Sequence, residues 1–241
     1  MQHNRRQFIT LGAATAAGAA MSGCFAESDP GQRRHIVLLG DSIFDNGRYV
    51  PGEPPVIEQL QKVLGRDHAA TLCALDGDVV ADVTGQLAKV PKDATHLVVS
   101  AGGNDALGHQ GLLERGAATS AELLGELAGV RAAFLDRYTK MLAAVRARGL
   151  PTAVCTIYDS NFASPKKALA DVALTVFNDA ILRAAGDAGV PVVDLRRVFR
   201  APADYANPIE PSAIGGAKMV DVIARMIAGH DFTVGRCALW A

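Results

Sequence analysis

The chain has 241 residues, of which 49% are hydrophobic and 20% charged, and its formal net charge is −1. That length and apolar content suffice for one domain with a sizeable core, while the near-neutral balance supplies no basic surplus for nucleic acid. No Cys-x-x-Cys pair or histidine cluster occurs, so neither a metal nor a cofactor is expected.

The amino-terminal segment Asn4-Arg5-Arg6-Gln7-Phe8-Ile9-Thr10 precedes a Gly/Ala-rich apolar stretch ending at Met21. This is the layout of an export signal, and the paired arginines before Phe8 and Ile9 resemble the twin-arginine type. The stretch from Leu11 to Met21 is too short for a membrane span, which needs about 20 apolar residues. Met21-Ser22-Gly23-Cys24 resembles a lipobox, in which Cys24 is lipidated and becomes the mature terminus; ordinary cleavage after Ala26 is the competing outcome. Residues 1–24 are therefore expected to be an export signal, 25–34 a short tether and 35–241 the folded domain. The expected location is the periplasm or cell envelope, with membrane contact only through a lipid on Cys24.

The first element of the domain is the apolar run from His35 to Leu39, which stops at Gly40-Asp41-Ser42 and reads as a buried strand with a hydroxyl at its end. Helical spacing follows over Val56 to Leu64, then strand character over Ala70 to Leu75, a helix over Val79 to Leu87 and a strand over Thr95 to Ser100. Ala121 to Arg148 is a long helix punctuated by Gly149 and Pro151. Thr152 to Tyr158 is a fourth strand, Lys166 to Ala185 a helix, Val190 to Leu195 a fifth strand, and Ser212 to Ala228 a final helix. Alternating strands and helices predict a flavodoxin-like three-layer α/β/α domain around a five-stranded parallel sheet.

Strand ends in such a sheet face the ligand crevice. Ser42, Asp76-Gly77 and Gly102-Gly103-Asn104-Asp105 all fall at strand ends. The block Asn207-Pro208-Ile209-Glu210-Pro211-Ser212 precedes the last helix on the same edge. Singly, Gly77 is a turn glycine, Gly102-Gly103 a tight loop and Ser212 a helix cap. Their order and placement together resemble the SGNH (GDSL) hydrolase superfamily, from Gly40-Asp41-Ser42 through Gly77 and Gly103-Asn104-Asp105 to the last block. The resemblance implies the SGNH hydrolase fold and a serine esterase acting on small acyl esters. It implies that Ser42 is the nucleophile, and that the Ser42 and Gly77 amides with the Asn104 side chain form an oxyanion hole. Fixed donors of this kind stabilise the charge that acyl transfer places on one oxygen.

The family's last block normally reads Asp-x-x-His-Pro, with the histidine as general base. Aligned on Pro211, Ser212 and Gly215, this chain has Asn207 and Glu210 at the two positions. A histidine starts at a pKa of about 6.5 and a glutamate at about 4.3, so Glu210 serves as base only if burial or a neighbouring carboxylate raises it. Asn207 is a candidate for orienting it. His109, in the loop after Asn104, is the one histidine of the domain on the same sheet edge and the alternative base. Three readings follow: an esterase using Glu210, an esterase using His109, and a catalytically degenerate protein that binds an acylated sugar or lipid. Phe44, Tyr49, Phe162 and Tyr205 are candidates for lining the cleft, and the loop from Ala106 to Thr119 is a candidate lid.

Overall fold

The computed structural model describes residues 33–114, 116 and 119–241. Cys24 and the expected export signal and nearly all of the tether lie outside these residues. Six strands, β1 (His35–Gly40), β2 (Ala69–Leu72), β3 (His96–Ser100), β4 (Thr152–Cys155), β5 (Val192–Val193) and β6 (Leu239–Trp240), form one sheet in the order β2-β1-β3-β4-β5-β6. Every pairing is parallel. The helices are α1 (Val56–Leu64), α2 (Val83–Gln86), α3 (Gly103–Leu107), α4 (Gly111–Glu114), α5 (Ser120–Arg146), α6 (Lys166–Ala188), α7 (Leu195–Val198) and α8 (Ala213–Gly229).

A parallel sheet is covered on both faces, so its strands read as continuous apolar runs rather than alternating ones. Ile36, Val37, Leu38 and Leu39 are all fully buried, yet they divide by parity. Val37 and Leu39 join Leu97, Val99 and Val154 in a core that includes Phe134 and Tyr138 of α5 and Phe177 of α6. Ile36 and Leu38 join Val98 and Ala153 in a second core built with Val56 of α1 and Met219 and Ile223 of α8. The sheet is the middle of three layers.

The predicted five strands are corrected to six. The added strand, β6, pairs Leu239 and Trp240 with Val192 and Val193, and two residues carry no periodic signal. The helix expected over Val79 to Leu87 is α-helical only from Val83 to Gln86 and tightens into a 3₁₀ turn over Leu87–Lys89. Two β-branched residues and Gly85 within four positions give it low helix propensity. Strands four and five are shorter than predicted: β4 ends at Cys155, and Leu195 already opens α7. In the Ala106–Thr119 segment, α3 runs on to Leu107 and α4 follows. No helix among the described residues is long and apolar enough to cross a membrane.

Strand order fixes where a site can form. The chain steps from β1 to β2 on one side and then to β3 on the other, so the crevice opens beyond the carboxyl ends of β1 and β3. Ser42 follows β1, and Asn104 follows β3.

Candidate active site

Gly40 ends β1 with φ +130°, and a Cβ there would lie 1.7 Å from the Ser100 carbonyl oxygen, so no other residue fits. The Asp41 N–H donates to that same oxygen at 3.1 Å, and the chain then turns sharply out of the sheet. Gln86 of α2 fixes the turn: its side-chain amide donates to the Gly40 carbonyl at 2.7 Å and accepts the Gly40 N–H at 2.8 Å. The same Nε2 reaches the Asp78 carboxylate at 2.8 Å. Asp41 is buried, accepts the Ile43 N–H at 3.1 Å, and has its carboxyl pushed up to about 8 by burial, with the Glu210 and Asp105 charges acting in the same direction.

The Ser42 hydroxyl donates to Glu210 Oε1 at 3.1 Å. Glu210 is only 6% exposed and its Oε2 has no partner. Burial raises its carboxyl from 4.5 to about 7, against the opposing pull of the Ser42 hydrogen bond. The turn that carries Glu210 is held through its backbone. Asn207 Oδ1 accepts the Ile209 N–H at 2.9 Å and the Glu210 N–H at 3.0 Å, a local Asx turn. Asn207 thus orients Glu210 through the main chain. On either side, Tyr158 donates its hydroxyl to the Ile209 carbonyl at 2.7 Å and Asn46 donates to the Pro211 carbonyl at 3.2 Å. Ser212 then caps α8 by accepting the Gly215 N–H at 3.2 Å.

The Ser42 and Gly77 N–H groups make no hydrogen bond among the described residues. Gly77 has φ +90° and is exposed. Asn104, second residue of α3, donates one side-chain N–H to the Asp78 carbonyl at 2.9 Å, and its amide group carries a second proton. Asp105 accepts the Val80 N–H at 2.9 Å and Asp45 the Asp76 N–H at 3.0 Å, so the Gly77 turn is tied to both α3 and the loop after Ser42.

Ser42, Asn104, His109 and Glu210 line one cavity, continuous with solvent, whose remaining wall is mostly aliphatic and aromatic. His109 sits at that wall with its ring 6.3 Å from the Phe177 ring, and among the described residues it makes no hydrogen bond to Ser42 or Glu210. Of the four cleft aromatics expected, Phe162 lines the cavity and the other three do not. Phe44 is fully buried in the core, Tyr49 donates to Asp76 at 3.1 Å, and Tyr205 packs edge-on against Tyr158 and Phe199. Arg48 also pairs with Asp76, at 2.9 Å, and both of these charges act on Glu210 from outside the cavity. No group of three or more His, Cys, Asp or Glu side chains among the described residues is arranged to hold a metal ion.

The residues that sequence reading missed are the ones that brace the site. Gln86, Asn46 and Tyr158 are buried polar side chains bonded mainly to backbone atoms far away in the chain. A polar residue flanked by core positions, as Gln86 is near Val83, is the only trace they leave in the sequence.

A parallel sheet between two helical layers, with a serine at its topological switch point, is the three-layer α/β fold of the SGNH hydrolases. The family model for GDSL-like lipase/acylhydrolase proteins matches residues 38–216, and the chain belongs to that family. Among solved structures, the extracellular lipase from Streptomyces rimosus is similar at a TM-score of 0.60 and 17% identity, over 80% of this chain and 99% of that one. The phospholipase A1 from Streptomyces albidoflavus NA297 aligns at a TM-score of 0.57 and 17% identity, over 79% and 99%. The lipase/acylhydrolase from Enterococcus faecalis aligns at a TM-score of 0.58 and 18% identity, over 81% and 96%. At these identities the likeness is one of fold. No curated protein sequence matches the chain.

Proposed function

We propose that this protein is an exported serine esterase in which Ser42 is the nucleophile and Glu210 the general base. In this reading Glu210 stands where the family's histidine is expected, and Asn207 where its aspartate is. The observation that carries it is the 3.1 Å hydrogen bond from the Ser42 hydroxyl to a buried carboxylate whose pKa is raised to about 7. A base works best with a pKa near the operating pH, and burial moves this carboxylate there. The Ser42 oxygen attacks the ester carbonyl carbon as its proton passes to Glu210. The resulting oxyanion accepts hydrogen bonds from the Ser42 and Gly77 N–H groups and the Asn104 amide. Glu210 returns the proton to the departing alcohol, and water then repeats the sequence to release the acid and restore Ser42.

Export through a twin-arginine signal, and a lipid on Cys24, are part of the same proposal and rest on the amino-terminal sequence alone. Processing is read by mass spectrometry of the mature amino terminus from the cell envelope, with Cys24→Ala as the control.

Ester turnover by the parent, lost in Ser42→Ala and reduced at least about 10²-fold in Glu210→Gln, supports the assignment. No turnover above the Ser42→Ala control at any pH between about 4 and 9, where a carboxylate base titrates, overturns it. Inactivation by His109→Ala with Glu210→Gln still active transfers the base role to His109.

A further inference from the structure

The cavity beside Ser42 has an inner end at the sheet and an outer end along α6. Asn178 pins α6 just past the end of β4: its Oδ1 accepts the Ile157 N–H at 2.8 Å and its Nδ2 donates to the Ile157 carbonyl at 2.8 Å. A Cβ on Gly102 would lie 3.4 Å from Ile157 Cδ1, so this anchor sits at the strand edge that carries Asn104. Phe177 therefore lines the cavity near the catalytic residues. Ala173, Ala170 and Lys166 follow it outward on one helix face, spaced four, three and four residues apart. At 1.5 Å per residue, Lys166 stands about 16 Å along the helix from Phe177.

Charge is divided between the two ends. Among the described residues, Asp41, Glu210 and Lys166 supply the Asp, Glu, Lys and Arg side chains of the cavity wall. Asp41 precedes Ser42 and Glu210 accepts its hydroxyl, so both carboxyls belong to the catalytic end. The Lys166 ammonium, at the outer end, lies over the Phe162 ring 4.4 Å from its centroid, and no described carboxylate pairs with it. Its neighbour Lys167 is already committed: it donates to Asp171 Oδ2 at 2.8 Å and to the Ser160 carbonyl. Asp171 Oδ1 is taken as well, accepting the Ser160 hydroxyl at 3.2 Å. On the same wall Ser160 has thus spent its hydroxyl, and Gln110 brings an amide without charge. A cation held on an aromatic face keeps its N–H donors for an anionic partner.

We propose that Lys166 is a subsite for an anionic oxygen group, and that the protein selects esters carrying such a group at the end remote from the scissile bond. The same charges set the direction of binding. Ionised Glu210 repels an anion placed at Ser42 and Lys166 attracts it at the outer end, which leaves the ester carbonyl at the nucleophile. The inference rests on the esterase reading above for its turnover test but not for its binding test.

The experiment compares kcat/KM for the p-nitrophenyl monoesters of suberic and sebacic acid with p-nitrophenyl octanoate and decanoate, and for the acetate ester of ω-hydroxyoctanoic acid with octyl acetate. The series that responds identifies whether the acyl or the alcohol part lies along α6. In that series Lys166→Met lowers the charged-to-uncharged ratio by about fivefold, the scale of a partly exposed ion pair. Lys166→Arg retains the ratio and Lys166→Glu lowers it further. Comparing one ratio between proteins cancels the hydration of the free carboxylate. Salt at about 1 M shrinks the parent's ratio toward that of Lys166→Met. Lys62→Met, on α1 away from the cavity, leaves the ratio unchanged. Binding of suberamic acid against octanamide to Ser42→Ala, by calorimetry, with and without Lys166→Met, reads the subsite without turnover. A ratio equal in the parent and Lys166→Met, in both ester series, overturns the subsite and leaves the esterase intact. A Lys166-dependent preference for suberamic acid without any ester turnover keeps the subsite and removes the esterase. Binding to Ser42→Ala that is indifferent to the Lys166 substitution also overturns the subsite.

Discussion

The Asn46 carboxamide joins the two ends of the site: its Nδ2 donates to the Pro211 carbonyl at 3.2 Å and its Oδ1 accepts the Val56 N–H at 2.9 Å. Asn46 is fully buried, four residues past Ser42, and Pro211 directly follows Glu210. Asn46→Ala leaves two buried backbone groups unpaired, so urea denaturation is expected to show a loss of about 2 to 3 kcal/mol. Because the Glu210 turn loses its anchor, kcat falls more than KM rises. Asn46→Ala with parental stability contradicts this role.

In the proposed mechanism the Glu210 carboxyl must be ionised before it accepts the Ser42 proton. With its pKa raised to about 7, kcat/KM for an ester is expected to climb tenfold per pH unit below that value and to level off above it. Glu210→Gln removes this titration along with most of the rate. A persisting rise near neutrality in Glu210→Gln identifies some other group as its source.

The same raised pKa makes stability fall as pH rises. Folded Glu210 holds its proton up to about 7, whereas in the unfolded chain it loses it near 4.5, so between those values the folded state binds more protons. Its contribution is complete below the unfolded value and is lost as pH passes through the folded one. Glu210→Gln carries no such titration. Its stability relative to the parent is expected to be level at pH 4 and to improve by on the order of 2 kcal/mol by pH 8, at 1.36 kcal/mol per pKa unit and allowing for solvent screening. Thermal melts of both proteins across this range give the difference directly, and a constant difference refutes the buried-carboxylate account.

Gly40→Ala places a methyl group against the Ser100 carbonyl in a backbone conformation that side chains rarely adopt. Separating β1 from β3 is the only relief, and both are central. A loss of at least about 3 kcal/mol, or no soluble protein, is expected in expression and melting trials. A folded, fully stable Gly40→Ala shows that the turn can be made another way.

The sheet was legible in the sequence because buried parallel strands need unbroken apolar runs, and Ile36–Leu39 and Leu97–Val99 are such runs. The neighbouring positions of Ser42 and Asn104 followed from which strands they end. β6 was not legible, since Leu239 and Trp240 become a strand only by lying against β5, a tertiary fact. The tie between Asn207 and Glu210 runs through backbone N–H groups, a detail that depends on local turn geometry and leaves no mark in the sequence. Gln86, Asn46 and Tyr158 escaped notice for a related reason. Their partners are carbonyl and amide groups, which every residue has and no pattern marks.

Ser42 and Glu210 lie 168 positions apart, one at the end of the first strand and the other just before the last helix. During vectorial synthesis the hydroxyl emerges early, and its Glu210 acceptor follows only with the segment that enters α8. A chain that stops short of residue 210 lacks the pair, so whatever chemistry the pair performs needs most of the sequence.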